Sequence, residues 1–136
     1  MKLELKDEDR QALIKYRIER SRATLVEADI MIASKCYNAA INRFYYACYY
    51  AVVALLLKYK ISAHTHDGVK QQFGLHFGVN GIIDRKYTRF FARLFNDRIT
   101  GDYDDFIQYD EETLSSLRPQ VEEFLDIVTA LVEKNE

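Results

Sequence analysis

The chain has 136 residues, 49% of them hydrophobic, with one proline, five glycines and a formal charge of −2. That size and apolar content suit a single globular domain, residues 1–136, with a core of its own and too little chain for two. A sequence pI near 5.9 excludes the overall basic character of a general nucleic-acid coat, so any contact with RNA or DNA has to be a local patch.

The opening stretch is polar and carries no apolar signal region, and Asp7 to Asp9 favour the positive end of a helix dipole. Ile14, Ile18, Ser21, Leu25, Ala28 and Ile32 then alternate spacings of four and three, which predicts one buried seam on a long first helix. Arg17, Glu19, Arg20, Arg22 and Glu27 lie off that seam and are expected in solvent. Ser34 to Asn38 is short enough to imply an antiparallel helical hairpin.

The second helix, predicted from Tyr37 to Lys60, organises the rest. Ile41, Tyr45, Cys48, Val52 and Leu55 mark one of its faces, and Ala40, Phe44, Ala47, Ala51 and Ala54 mark another. A helix apolar on every side is buried among neighbours or sits in lipid. The uncharged run from Phe44 to Leu57 falls short of the roughly 20 residues a bilayer needs, and Arg43 and Lys58 close it off, so no membrane span is expected. Its four tyrosines, Tyr45, Tyr46, Tyr49 and Tyr50, need partners for their hydroxyls. They either reach a cleft or a second subunit, or snorkel within one bundle. Cys36 and Cys48 have no C-x-x-C spacing, which with the polar start points to a reduced, cytoplasmic protein.

Thr65 or Asp67 can cap a short third helix ending near Gly74 to Gly78. Asn80-Gly81 signals a turn, and Asp84 can cap a fourth helix. In that helix Tyr87, Phe91 and Leu94 face inward, while Arg85, Arg89 and Arg93 fall on nearly the opposite side as a solvated face or a phosphate-tracking edge. Arg98 follows Leu94 by four and so continues the aromatic face. A guanidinium at the end of an apolar stripe is either paired internally, here with Asp102, or waiting for an anion. Gly101 is expected to end the helix in the left-handed conformation, with Asp102 to Phe106 as a loop. Leu114, Leu117, Val121, Phe124, Val128 and Leu131 predict a last helix, kinked or restarted at Arg118 by Pro119. With no strand pattern and no repeat, the chain reads as all-α, an antiparallel four- to five-helix up-and-down bundle.

No P-loop, H-E-x-x-H, G-x-S-x-G or dinucleotide glycine pattern is present. His64, His66 and His76 with Asp67 could be imagined around a metal, but His-x-His in a loop without a fourth ligand reads as caps and surface residues. The chemistry-bearing constellation is Arg98 with Asp102 and Tyr103, and Asn42, Arg43 and the tyrosines as company.

Three ordered stretches carry a resemblance: Asn42-Arg43-Phe44-Tyr45-Tyr46-Ala47, Thr65-His66-Asp67-Gly68-Val69, and Arg98-Ile99-Thr100-Gly101-Asp102-Tyr103. Together they resemble the small stand-alone prokaryotic HEPN proteins (higher eukaryotes and prokaryotes nucleotide-binding), over about Tyr37 to Phe106. The resemblance implies a helical bundle that forms a homodimer, with arginines of the fourth helix facing a shared cleft. It also implies RNA or a nucleotide as ligand, and for many members metal-independent, cofactor-free endoribonuclease activity as a toxin beside a minimal nucleotidyltransferase antitoxin. On that pattern Arg98 holds the scissile phosphate, and Asn42, Arg43 and Tyr46 belong to the nucleic-acid or nucleotide site. The family motif is an arginine, about four to six intervening residues, then a histidine. No histidine follows Arg98 here; Asp102 and Tyr103 stand in that region as the expected proton-exchanging or orienting groups. The alternative is a non-catalytic nucleotide-binding or protein-interaction module with a structural Arg98–Asp102 pair.

Overall fold

A computed structural model describes residues 5–104 and 107–135. Five α-helices follow in order: α1 Asp7–Ala33, α2 Tyr37–Lys58, α3 His66–Phe73, α4 Arg85–Tyr103 and α5 Glu111–Glu133, with a π-helical turn, Gly74–Val79, extending α3. No strand occurs among the described residues. The fold is the expected all-α bundle.

The four long helices run up and down. Arg10 near the start of α1 donates to the Leu57 carbonyl near the end of α2, so this pair is antiparallel. Asn42 near the start of α2 meets Asp102 near the end of α4, so that pair is antiparallel too, and because the ends of α2 and α5 meet at Lys58 and Leu131, α4 and α5 are antiparallel as well. Lys58 closes the bundle at the far end, its Nζ donating to the carbonyls of Leu131 and Lys134 at 2.8 and 2.6 Å. These late carbonyls lack helical donors and favour a cation.

α2 is the central element. Eleven of its residues are buried, including Ala40, Ile41, Phe44, Tyr45, Ala47, Cys48, Ala51, Val52 and Leu55 with no exposed surface. By length and composition it could cross a bilayer. In this fold α1, α4 and α5 cover its apolar sides instead. The alanine column lies toward α1, where the buried Ser21 hydroxyl donates to the Ala47 carbonyl at 2.7 Å. The α1 seam is as predicted: Ile14, Ser21, Leu25 and Ala28 are buried, and Ile18 and Ile32 half-buried.

Several helix ends differ from the sequence reading. α2 stops at Lys58, because Lys60 takes a left-handed conformation (φ 57°) and the Ile61 N–H turns back to the Leu56 carbonyl. Lys35 does the same (φ 62°) after α1. Glycine is the usual residue in such a closure, so a lysine there gives no sequence signal. Conversely, Gly101 does not terminate α4. The helix continues to Tyr103, and a Cβ at Gly101 would come within 3.3 Å of the Tyr109 ring, so the glycine serves close packing. Asp102 and Tyr103 are therefore helical rather than in a loop, while Asp105 and Phe106 lie outside the described residues. Gly81 (φ 75°) does make the expected turn.

Pro119 neither restarts nor divides α5, which is one helix from Glu111 to Glu133. Buried Leu117 and Val121 hold the phase on either side. Arg118 is forked onto Asp29 of α1 at 2.8 and 3.1 Å and bonded to Glu122, which pins this turn in place.

Candidate cationic-aromatic site

Where α2 faces α3 and α4, its apolar surface gives way to tyrosines. Tyr45 is fully buried and stacks on Phe91 of α4 at 5.6 Å. The next turns present Tyr46, Tyr49 and Tyr50, half-buried. Arg98 comes over them from α4, its guanidinium carbon 5.0 Å from the Tyr45 ring centroid and 5.8 Å from those of Tyr46 and Phe95. The inward placement read from its spacing after Leu94 is what the fold shows.

Arg98 forms no ion pair among the described residues, and its Nε is buried without an acceptor. The expected Arg98–Asp102 pair is not made. Asp102 lies one turn beyond Arg98 but accepts instead from Asn42 Nδ2 at 3.1 Å. Asn42 in turn accepts from Arg43 through Nε at 3.1 Å and Nη2 at 2.6 Å, and Arg43 Nη1 reaches Glu27 at 3.3 Å. A Glu27–Arg43–Asn42–Asp102 chain thus ties α1, α2 and α4 together, with Arg43 lying over Tyr46 at 5.2 Å. Tyr103 is 78% exposed. Five residues after Arg98, it projects about 140° away around the helix, outside the cluster.

Three features escaped the sequence reading. Arg17 and Arg20 of α1, expected in solvent, are half-buried and lie 5.6 and 5.5 Å from the Tyr50 ring. Arg20 also meets Glu27, at 3.7 Å. Arg17 Nε, like Arg98 Nε, is buried without an acceptor. The second feature is His66, set at the first residue of α3 by Thr65, whose hydroxyl accepts from the Gly68 N–H at 2.8 Å. Its Nδ1 is 2.8 Å from the Tyr45 hydroxyl, and its ring stacks on Tyr49 at 4.4 Å and stands edge-on to Tyr46 at 5.7 Å. Burial, with the Arg98 charge second, pulls its pKa below the ordinary histidine value. Asn38 is the third: it donates to the carbonyls of Gly101 and Ile107 and accepts from the Tyr109 N–H, stitching the segment after α4 to the start of α2.

The hydroxyls of Tyr45 and Tyr49 are poor acids here. Burial pushes Tyr45 far above the phenol range despite the opposing Arg98 charge, and burial likewise raises Tyr49. The three histidines do not converge. His64 is exposed, His76 bonds Gln72 at 3.0 Å, and His66 belongs to the Tyr45 cluster. Among the described residues no three His, Cys, Asp or Glu side chains group to hold a metal ion. The basic stripe of α4, Arg85, Arg89 and Arg93, is exposed, and Arg93 pairs with Asp97 at 3.4 Å.

The result is a strip along α2 in which four guanidinium groups lie on tyrosine faces, opposed by the carboxylates of Glu27 and Asp102. Aromatic faces can stack a base and unpaired guanidinium forks can take a phosphate.

Comparison with known proteins agrees with this architecture. The family model described as HEPN domain matches residues 14–133. A protein of Thermotoga maritima named UPF0332 protein is 33% identical over 125 residues, covering 92% of this chain and 95% of its own. A protein of Methanocaldococcus jannaschii named "Putative toxin" is 33% identical over 122 residues, 90% of each chain. Another of that name and organism is 30% identical over 119 residues, 87% of this chain and 81% of its own.

Proposed function

The chain belongs to the HEPN-domain family, and from that premise we propose that it is a toxin-like RNA-binding protein that cleaves RNA without a metal, using Arg98 to hold the scissile phosphate. The observation that carries this reading is the state of Arg98: half-buried on aromatic rings, without a carboxylate partner among the described residues, its Nε unsatisfied. A buried polar donor without an acceptor costs about 1–3 kcal/mol, more when charged, and a bound phosphate would recover that cost. Arg17, Arg20 and Arg43 extend the cationic strip, and Tyr46, Tyr49 and Tyr50 offer faces for unpaired bases. The names of the Methanocaldococcus relatives support a toxin role. In this reading the protein is cytoplasmic, pairs with a second copy so that two Arg98 side chains share a cleft, and is restrained by a minimal nucleotidyltransferase partner.

The test is incubation of the purified protein with single-stranded RNA in EDTA. The expected products end in a 2',3'-cyclic phosphate, and their formation falls by about a hundredfold or more with Arg98→Ala. Intact RNA after prolonged incubation with protein in excess contradicts it.

A second reading is a non-catalytic module that binds a nucleotide or a protein partner. It is favoured by the engagement of Asp102 with Asn42, which leaves neither Asp102 nor the outlying Tyr103 placed to take a proton beside Arg98. Binding of RNA or nucleotide, lost in Arg98→Ala, with no turnover would select it.

A further inference from the structure

We infer that His66 is the proton acceptor of this site and that Tyr45 is the positioning residue that orients it beside Arg98. The inference rests on the nuclease reading above. It supplies the group that the stretch after Arg98 lacks, from a different helix.

The geometry is specific. Arg98 and His66 share two neighbours on α2: the guanidinium carbon is 5.0 Å from the Tyr45 ring centroid and 5.8 Å from that of Tyr46, and the His66 ring is 5.8 and 5.7 Å from the same two. The imidazole is clamped flat on Tyr49 and held at Nδ1 by the Tyr45 hydroxyl. Nε2 makes no hydrogen bond among the described residues. When Nδ1–H donates to the Tyr45 oxygen, Nε2 carries the free lone pair, and this bond persists once the ring becomes imidazolium.

Asp102 is held by Asn42, and aspartate, with a reference pKa near 3.9, is a weak acceptor for a hydroxyl proton. Among the described residues, the titratable and charged groups around His66 are Tyr45, Tyr46 and Tyr49 from α2 and the charge of Arg98 from α4. Asp67, next to it on α3, turns to Gln71 and Lys70 at 2.7 and 3.2 Å. Burial, with the Arg98 charge second, favours the neutral ring, and its Nε2 is then the open acceptor.

The step balances as an internal transesterification. His66 Nε2 takes the proton of a ribose 2'-hydroxyl as the O2'–phosphorus bond forms. The phosphorus–O5' bond breaks, and the leaving 5'-oxygen takes a proton from water. The imidazolium then returns its proton to the hydroxide so formed. Arg98 receives the negative charge that grows on the non-bridging oxygens.

The test uses the full chain, a labelled single-stranded RNA and EDTA. His66→Gln is expected to lower kcat by about a hundredfold or more while the RNA Kd moves by less than about threefold. In the wild type, kcat/KM should fall on the acid side below the reference histidine value, near 6.5. The limb in kcat should sit at higher pH, because a phosphate on Arg98 offsets the charge that depresses His66. Tyr45→Phe should shift both limbs and cut kcat by about tenfold with KM held, which a purely structural role would not do. If His66→Gln does not fold, the imidazole titration of wild-type His66 by NMR decides: it must coincide with the kcat/KM limb. Wild-type rates in a folded His66→Gln, or an imidazole titration unrelated to the limb, overturn the inference and leave the Arg98 reading standing. RNA that is bound but never cut by the wild type removes the nuclease reading and this inference together.

Discussion

One helix, α2, serves two neighbourhoods of opposite character. Toward α1 it presents Ala40, Ala47, Ala51 and Ala54, all without exposed surface, and the backbones approach closely enough for Ser21 to bond the Ala47 carbonyl. Toward α3 and α4 it presents Tyr45, Tyr46 and Tyr49 to His66 and Arg98, and among the described residues Arg98 Nε and His66 Nε2 have no hydrogen-bond partner. The first surface is closed by packing. The second carries half-buried tyrosines with guanidinium groups on their faces, so the same helix fixes the fold on one side and offers chemistry on the other.

Substitutions should respect that division. The largest stability effect is expected where α5 supports the aromatic side. Phe124 is fully buried and stacks on Phe91 at 5.9 Å, which itself stacks on Tyr45. Phe124→Ala should cost about 3–5 kcal/mol in urea unfolding. On the closed side, Ala51→Leu forces extra volume between fully packed elements and should cost about 1–3 kcal/mol. Its RNA affinity per folded molecule should stay at the wild-type value; a fall would mean the two sides are not separable.

Asn42→Ala sharpens the contrast differently. It breaks the hydrogen-bonded chain from Arg43 to Asp102, a loss on the order of 1 kcal/mol in thermal unfolding. It also frees Asp102, one turn past Arg98, to neutralise that arginine. RNA affinity should therefore drop several-fold, roughly the worth of a partly exposed ion pair. Adding Asp102→Asn should restore it. The smallest effect concerns pH. The folded state lowers the His66 pKa, so the unfolded chain binds that proton more readily. This contribution is fully present above about pH 6.5 and is lost as pH falls through the lower folded value. His66→Gln should flatten that part of the stability profile by a few tenths of a kcal/mol, because the ring is only half-buried.

The closed side was the legible one. Periodicity gave α1, α2, α4 and α5, and the run of small and apolar residues placed α2 at the centre, since burial leaves its mark on every turn. Helix ends were misread where Lys35 and Lys60 adopt conformations that glycine usually signals, and where Gly101 is small for the sake of Tyr109. Pro119 looked like a break because local propensity does not register Arg118 reaching across to Asp29. In the site, spacing alone put Arg98 on the aromatic face. The tyrosines under it were legible as company, but His66 and Arg17 were not, because His66 lies 32 residues earlier and Arg17 on another helix. Chain spacing reports faces of one helix, not which faces meet.

The most direct test is of Arg98 itself: titration of labelled single-stranded RNA against wild type and Arg98→Ala at two salt concentrations, with thermal unfolding measured alongside. The account predicts an unfolding midpoint close to wild type, weaker binding with a salt slope shallower by about one, and cleavage reduced by about a hundredfold or more. An Arg98→Ala protein that binds and cuts like wild type, or one that no longer folds, contradicts it.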